Sequence, residues 1–141
     1  MEVQAKLQIG DNNTQIYQKN YNVVNLFCHY TRHTSSSRPD TDACCEHIDI
    51  TLVAPGMEDL SLYDWYISGQ PLSGRVLFDL SEGQGNSNQD AVNLVFDDAY
   101  CFAIEEEYFI DKLMRRVIKL SLVANNVTFE GATFSNPYSN N

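Results

Sequence analysis

The sequence predicts a mainly β fold, an antiparallel barrel or two-sheet barrel with one short α-helix on its flank. Three observations carry this. Apolar and polar residues alternate with a period of two in segment after segment, as in strands that bury one face. A single stretch departs from that pattern and repeats its apolar residues at helical spacing. The chain has 141 residues, 43% hydrophobic and 20% charged, enough for one domain that buries about 70% of its unfolded surface without a disulfide or metal.

Along the chain, Val3, Ala5, Leu7 and Ile9 alternate with Gln4, Lys6 and Gln8, and Asp11-Asn12-Asn13 reads as a turn. A long extended segment runs from about Ile16 to His33. The polar stretch from Thr34 to Asp42 reads as a loop, and Ile48, Ile50 and Leu52 mark the next strand. Pro55-Gly56 ends it. Leu60, Tyr63, Tyr66 and Ile67 then give a helix over about 59–68, with Ser61 and Asp64 as a weak capping box, Gly69 as a stop and Trp65 as an anchor on the sheet. Val76, Phe78 and Leu80 form a strand, Ser81 to Asp90 a hairpin connection, and Val92, Leu94 and Phe96 another strand. Tyr100 to Phe109 is rich in aromatic and branched residues. Asp97-Asp98 between these two reads as a strand-ending turn. Ile118, Leu120 and Leu122 make the last clear set, which Val127-Thr128-Phe129 continues or succeeds as a separate strand. Seven or so strands imply a closed or nearly closed antiparallel barrel, or a sandwich; closure removes edges that would pair at random. Residues 1–134 are expected to form the single barrel domain and 135–141, rich in Asn and Ser, a flexible tail.

Charge narrows the partners. With 9 basic and 19 acidic residues the net charge is −10, which disfavours nucleic acid and anionic membranes. The N-terminus shows neither the basic region nor the apolar core of a secretory signal, and no apolar run reaches the ~20 residues that span a bilayer. The expectation is folding in the cytoplasm, no membrane insertion, and any export by a route without a cleaved signal. Cys28, Cys44, Cys45 and Cys101 are then read as free thiols, mostly buried.

Catalytic patterns are missing. The sequence contains no phosphate-binding glycine loop, dinucleotide fingerprint or nucleophile elbow, so the expectation is no enzyme and no cofactor. Cys28, His29, His33, Cys44, Cys45 and His47 are the residue types zinc favours, but their spacing fits no usual zinc site, and packed cysteines with surface histidines are the plainer reading. Glu105, Glu106 and Glu107 are best read as a solvated face or as partners for Arg115 and Arg116.

Several motifs also occur in the order and spacing of one family. They are Tyr21-Asn22-Val23, Ser37-Arg38-Pro39, Ile48 to Val53, Leu62-Tyr63-Asp64-Trp65-Tyr66-Ile67-Ser68 and Ser73-Gly74-Arg75-Val76-Leu77-Phe78. Leu94-Val95-Phe96-Asp97-Asp98-Ala99-Tyr100-Cys101, with Glu106 beyond it, is the most specific, and Ile118-Lys119-Leu120-Ser121 closes the series. Over roughly residues 5–122 the chain resembles the Hcp (TssD) tube proteins of Bacteroidetes-type type VI secretion systems. It departs from their pattern at Ser37, where Gly is common, and at Cys44-Cys45-Glu46-His47, where a Gly-rich segment is usual.

The resemblance implies a structural protein. Six copies would close into a ring, and rings would stack into a tube that carries or delivers effectors. Its partners would be copies of itself and the sheath, spike and effector proteins of the system. The segment from about Thr31 to Glu46 would reach a neighbouring subunit. The candidate interface residues are Arg32, His33, Arg38, Pro39, Asp40, Asp42, Arg115 and Arg116. The competing expectation is a small-ligand- or carbohydrate-binding barrel, with some of the eight Tyr, seven Phe and single Trp lining a pocket.

Overall fold

A computed structural model of the chain describes residues 4–31, 34–35, 38–39, 44–79, 91–110, 115–129 and 132–135. Its strands are β1 (Gln4–Asp11), β2 (Ile16–Thr31), β3 (Thr34–Ser35), β4 (Arg38–Pro39), β5 (Cys44–Val53), β6 (Leu72–Asp79), β7 (Ala91–Phe109), β8 (Arg115–Phe129) and β9 (Ala132–Ser135), with helix α1 (Ser61–Ser68) between β5 and β6.

The main sheet runs β5-β2-β1-β6-β7-β8-β9, and β5 also pairs with β8. That second pairing closes six antiparallel strands into a barrel and resolves the choice between barrel and sandwich. Strand β9 extends the far end of β8, and β3 and β4 pair apart from the barrel. The register carries the apolar set around the ring: Leu7 opposes Tyr21 and Val76, Val76 opposes Leu94, and Ile48, Ile50 and Leu52 oppose Leu122, Leu120 and Ile118. All of these are buried. Period-two alternation thus fills the interior with one face of every strand.

Closure needs local bending, and bulges supply it. Register shifts occur in β1 at Ile9/Gly10, in β2 at Val23/Asn25 and His29/Tyr30, and in β7 at Cys101/Ala103. At Gly74 a Cβ would collide with the Gln8 carbonyl of β1, so strands β1 and β6 approach this closely only over a glycine.

Two expectations change here. Strand β7 is one strand, not two, because Asp98 absorbs a bend at φ +52° and pairing resumes at once. Asp97-Asp98 is therefore a kink inside a strand rather than its end. Of the two alternatives left open for Val127-Thr128-Phe129, continuation of the strand is the one found, since β8 runs through to Phe129. The 81–90 connection lies outside the described residues, as does the tail after Ser135.

Helix α1 begins without a Ser61 cap: its N-terminal flank is Leu60, and the preceding Asp59 accepts the Ser61 amide through Oδ1 at 3.0 Å. Gly69 ends it in the left-handed region at φ +70°. Leu62 and Trp65 enter the core, the Trp65 indole donates to the Ala99 carbonyl at 2.9 Å, and its ring lies against Phe96. Trp65 is thus the anchor expected from sequence, and of the four residues taken there as the helix's apolar set only Tyr63 packs against the core. Leu60, Tyr66 and Ile67 point to solvent.

Candidate subunit interface

The segment after Pro55-Gly56 builds the surface beside α1. Its turn is held by the Asp59 amide donating to the Gly56 carbonyl at 3.0 Å. Asp59 then gathers three elements. It accepts from Ser61 of the helix, from the Tyr21 hydroxyl of β2 at 3.2 Å, and lies 3.7 Å from Lys19 Nζ. These donors, the Ser61 amide foremost, hold its carboxyl below the ordinary range. Burial, together with Asp59, pushes the Tyr21 hydroxyl up to about 12.

Next to it, Arg116 ties β8 to the same turn. Its Nη2 donates to the Pro55 carbonyl at 3.3 Å, Nη1 lies 3.8 Å from Glu106 Oε2, and its backbone carbonyl accepts the Ala54 amide at 3.1 Å. The Tyr63 hydroxyl donates to the same Glu106 oxygen. Burial first, and then Glu106, push the Tyr63 hydroxyl up. A cleft of about 320 Å³ opens over this network, lined by Met57, Leu60, Tyr63 and Tyr108 among others. A second, of about 520 Å³, adjoins it between Val53, Met57, Tyr108 and Arg115.

Part of the lining of these clefts is apolar and open: Met57 is 77% exposed and Leu60 58%, with Tyr108 and Val53 also exposed. Single exposed hydrophobics are ordinary, whereas a group of them beside arginines has the composition common at protein contact surfaces.

A contrasting cleft of about 540 Å³ lies at the β1–β2 turn, where Asp11, Asn12, Asn13, Ser73, Asp97 and Asp98 line it. Asn12 is its keystone. Its amide donates to the Phe96 carbonyl at 2.9 Å and to Asp97 Oδ1 at 3.0 Å, and its Oδ1 accepts the Tyr17 hydroxyl at 2.8 Å. The Asp98 amide donates to Ser73 Oγ at 3.0 Å, which pins the bend in β7.

Of the sequence candidates, Arg115 and Arg116 sit together at the start of β8, one exposed and one half-buried. Arg38 and Pro39 form β4, whose backbone pairs with Ser35 and Thr34. Arg32, His33, Asp40 and Asp42 lie outside the described residues. Glu106 meets Arg116 as expected, while Glu105 pairs with Lys119 at 3.9 Å.

The Cys/His group is divided by register. His29 faces His47 across β2 and β5 with rings stacked at 5.3 Å, on the outer side with Glu46 and Asp49. Cys28 and Cys45 point the other way. Among the described residues no three His, Cys, Asp or Glu side chains are placed to hold a metal ion. Likewise, no helix among them is long and apolar enough to cross a membrane.

Sequence reasoning did not single out Asp59 or Met57 as part of this cleft, and it counted Leu60 in the helix's apolar set. The Leu62/Trp65 pair, three residues apart, was the signal for the inward face of α1, and it would have left Leu60 and Ile67 outside.

A family model described as TssD, hemolysin coregulated protein Hcp, matches residues 1–138. No curated protein matches the chain. Among solved structures, Hcp1 from Flavobacterium johnsoniae is similar at 19% identity and TM-score 0.72, covering 94% of this chain and 99% of that one. An Hcp protein structure is similar at 13% identity and TM-score 0.71, covering 99% and 100%. A chain of the SPP1 tail tube is similar at 11% identity and TM-score 0.62, covering 93% and 77%. At these identities the structural likeness establishes the fold, and the family model establishes the family.

Proposed function

Because the chain belongs to the TssD family of hemolysin coregulated proteins (Hcp), the tube proteins of type VI secretion, we propose that six copies close into a ring and that rings stack into an inner tube carrying or delivering effectors. The family is structural rather than enzymatic. The observation that carries the reading is the apolar, arginine-edged surface around Met57, Leu60 and Tyr108 on a barrel whose core is already complete. A folded monomer gains nothing from that exposure, and a neighbouring copy would cover it.

Ring closure by identical copies requires two unlike surfaces. The acidic cleft at the β1–β2 turn and the apolar flank with Arg115 are suited to that role. The exposed Arg115 set against that acidic cleft would also offset part of the repulsion between chains that each carry −10. Arg32, His33, Arg38, Pro39, Asp40 and Asp42 are assigned to contacts of the 31–46 segment with a neighbouring subunit or ring, and Arg115 and Arg116 to the lateral contact. Assembly would take place in the cytoplasm, with export by the secretion machine through contacts with sheath, spike and effector proteins rather than by a cleaved signal. Residues 1–134 would act as one unit and 135–141 as an appended tail.

The fold of an SPP1 tail tube chain supports the same use of this barrel. Electron microscopy of the purified protein tests it: six-fold rings with a central hole are expected. Isolated single barrels at high concentration would contradict the proposal.

A further inference from the structure

Two histidines face each other on the outer side of the barrel wall. His29 of β2 pairs directly with His47 of β5, a position that sets the two Cβ atoms about 5 Å apart. Their rings stack with centroids 5.3 Å apart and planes 11° from parallel. Tyr30 pairs with Cys45, so Glu46 is the extra residue of a bulge in β5. A bulge re-aims its neighbours, and here Glu46 Oε1 lies 3.3 Å from His29 Nε2. Asp49, the next outward residue of β5 after His47, brings Oδ2 to 3.9 Å from His47 Nε2.

Each imidazole thus turns one nitrogen towards a carboxylate. A carboxylate at that place holds the proton on Nε2, leaves the lone pair on Nδ1 and raises its basicity, the arrangement that supports a metal-ligating histidine. Both rings are partly open to solvent. They can therefore turn to bring the two Nδ1 atoms to ~2.0–2.1 Å from one ion without disturbing the core. Cys28 and Cys45 do not compete for it. Cys28 lies opposite the buried Ile48 and packs against the core, and the buried Cys45 thiol donates to the His47 carbonyl at 3.6 Å. Among the described residues no group of three or more His, Cys, Asp or Glu side chains is placed to hold a metal ion. The remaining coordination positions therefore belong to solvent, which makes the site open and its ion exchangeable.

We propose that His29 and His47 form a two-imidazole clip for a divalent transition-metal ion such as zinc, with Glu46 and Asp49 as the partners that orient the rings. The ion ties β2 to β5 through side chains on the outside of the wall. It stabilises the folded chain as its concentration rises, because an unfolded chain does not hold the two rings together. The clip lies towards the opposite end of β5 from Val53 and does not rest on the tube reading.

The test is calorimetric titration of the full, reduced chain with zinc chloride. One saturable zinc ion per chain is expected, and the unfolding midpoint should rise with zinc concentration. Nitrogen NMR of the wild-type histidine side chains should show Nδ1 of His29 and of His47 as the ligated atoms, a readout that relies on no variant to fold. His29→Ala and His47→Ala should each abolish saturable uptake and the zinc-dependent rise, while unfolding as cooperatively as the wild type without metal. Glu46→Gln should weaken binding ~10-fold. His33→Ala and Cys44→Ser should bind as the wild type does. No saturable uptake, uptake that survives in both histidine variants, or ligation through other side chains would each overturn the proposal. Ring formation is measured separately on metal-free protein, so failure of the tube reading leaves this result interpretable.

Discussion

The two faces of α1 are similarly apolar and differ in what covers them. Leu62 and Trp65 are at most 2% exposed, whereas Leu60 and Ile67, on the same few turns, are 58% and 75% exposed. One face completes the barrel core. The other, with Met57 and Tyr108, has no cover within the described residues. The difference separates two groups that sequence alone merges: hydrophobic residues that make the fold, and hydrophobic residues that the fold leaves open and that the proposed function assigns to a second copy.

Substitution on the inner face should break the comparison most strongly. Trp65→Ala removes an indole that fills the core and donates to Ala99. Large-to-small changes of this kind cost about 3–5 kcal/mol, measurable by denaturant titration. On the outer face, the double substitution Leu60→Glu with Ile67→Glu should leave the stability of the isolated chain within about 0.5 kcal/mol. It should weaken self-association at least ~100-fold, about 2.7 kcal/mol, as read by sedimentation. Equal damage to folding from both faces would erase the distinction.

A smaller effect lies at the junction of the two faces. Asp59→Ala removes the acceptor of the Ser61 amide and should cost about 1 kcal/mol. The sign of its pH dependence is set by the depressed carboxyl. Its contribution is complete above the unfolded value near 4 and is lost as pH falls through the lower folded value. Stability measured from pH 6 down to 2 should therefore fall less steeply in Asp59→Ala than in the wild type. The smallest change is Tyr21→Phe, which deletes one hydrogen bond to Asp59 and should cost about 1 kcal/mol or less.

Most of the barrel was legible because alternation survives tertiary packing. The sets at Leu7/Ile9, Ile48/Ile50/Leu52 and Ile118/Leu120/Leu122 all became the inner wall. That the strands close into a barrel was expected from their number, but the pair that closes it, β5 with β8, was not legible, since those residues lie far apart in sequence. The continuity of β7 was hidden by Asp97-Asp98, which reads as a turn, because one residue at φ +52° bends a strand without ending it. Trp65 and Tyr63 were read correctly as inward, while Leu60, Tyr66 and Ile67 were misassigned because the outer side of the helix is itself apolar and periodicity cannot tell a buried face from an exposed one. The pairing of Arg116 with Glu106 was anticipated from charge. Its link to the Pro55 carbonyl and to the turn that carries Met57 is purely tertiary.

Light scattering at high protein concentration probes the central claim most directly. If the exposed side of α1 is kept for a second copy, wild-type protein should show six times the 16.0 kDa mass of the chain, and the Leu60→Glu, Ile67→Glu protein should show that of one chain. A single-chain mass for the wild type at every concentration would contradict the account.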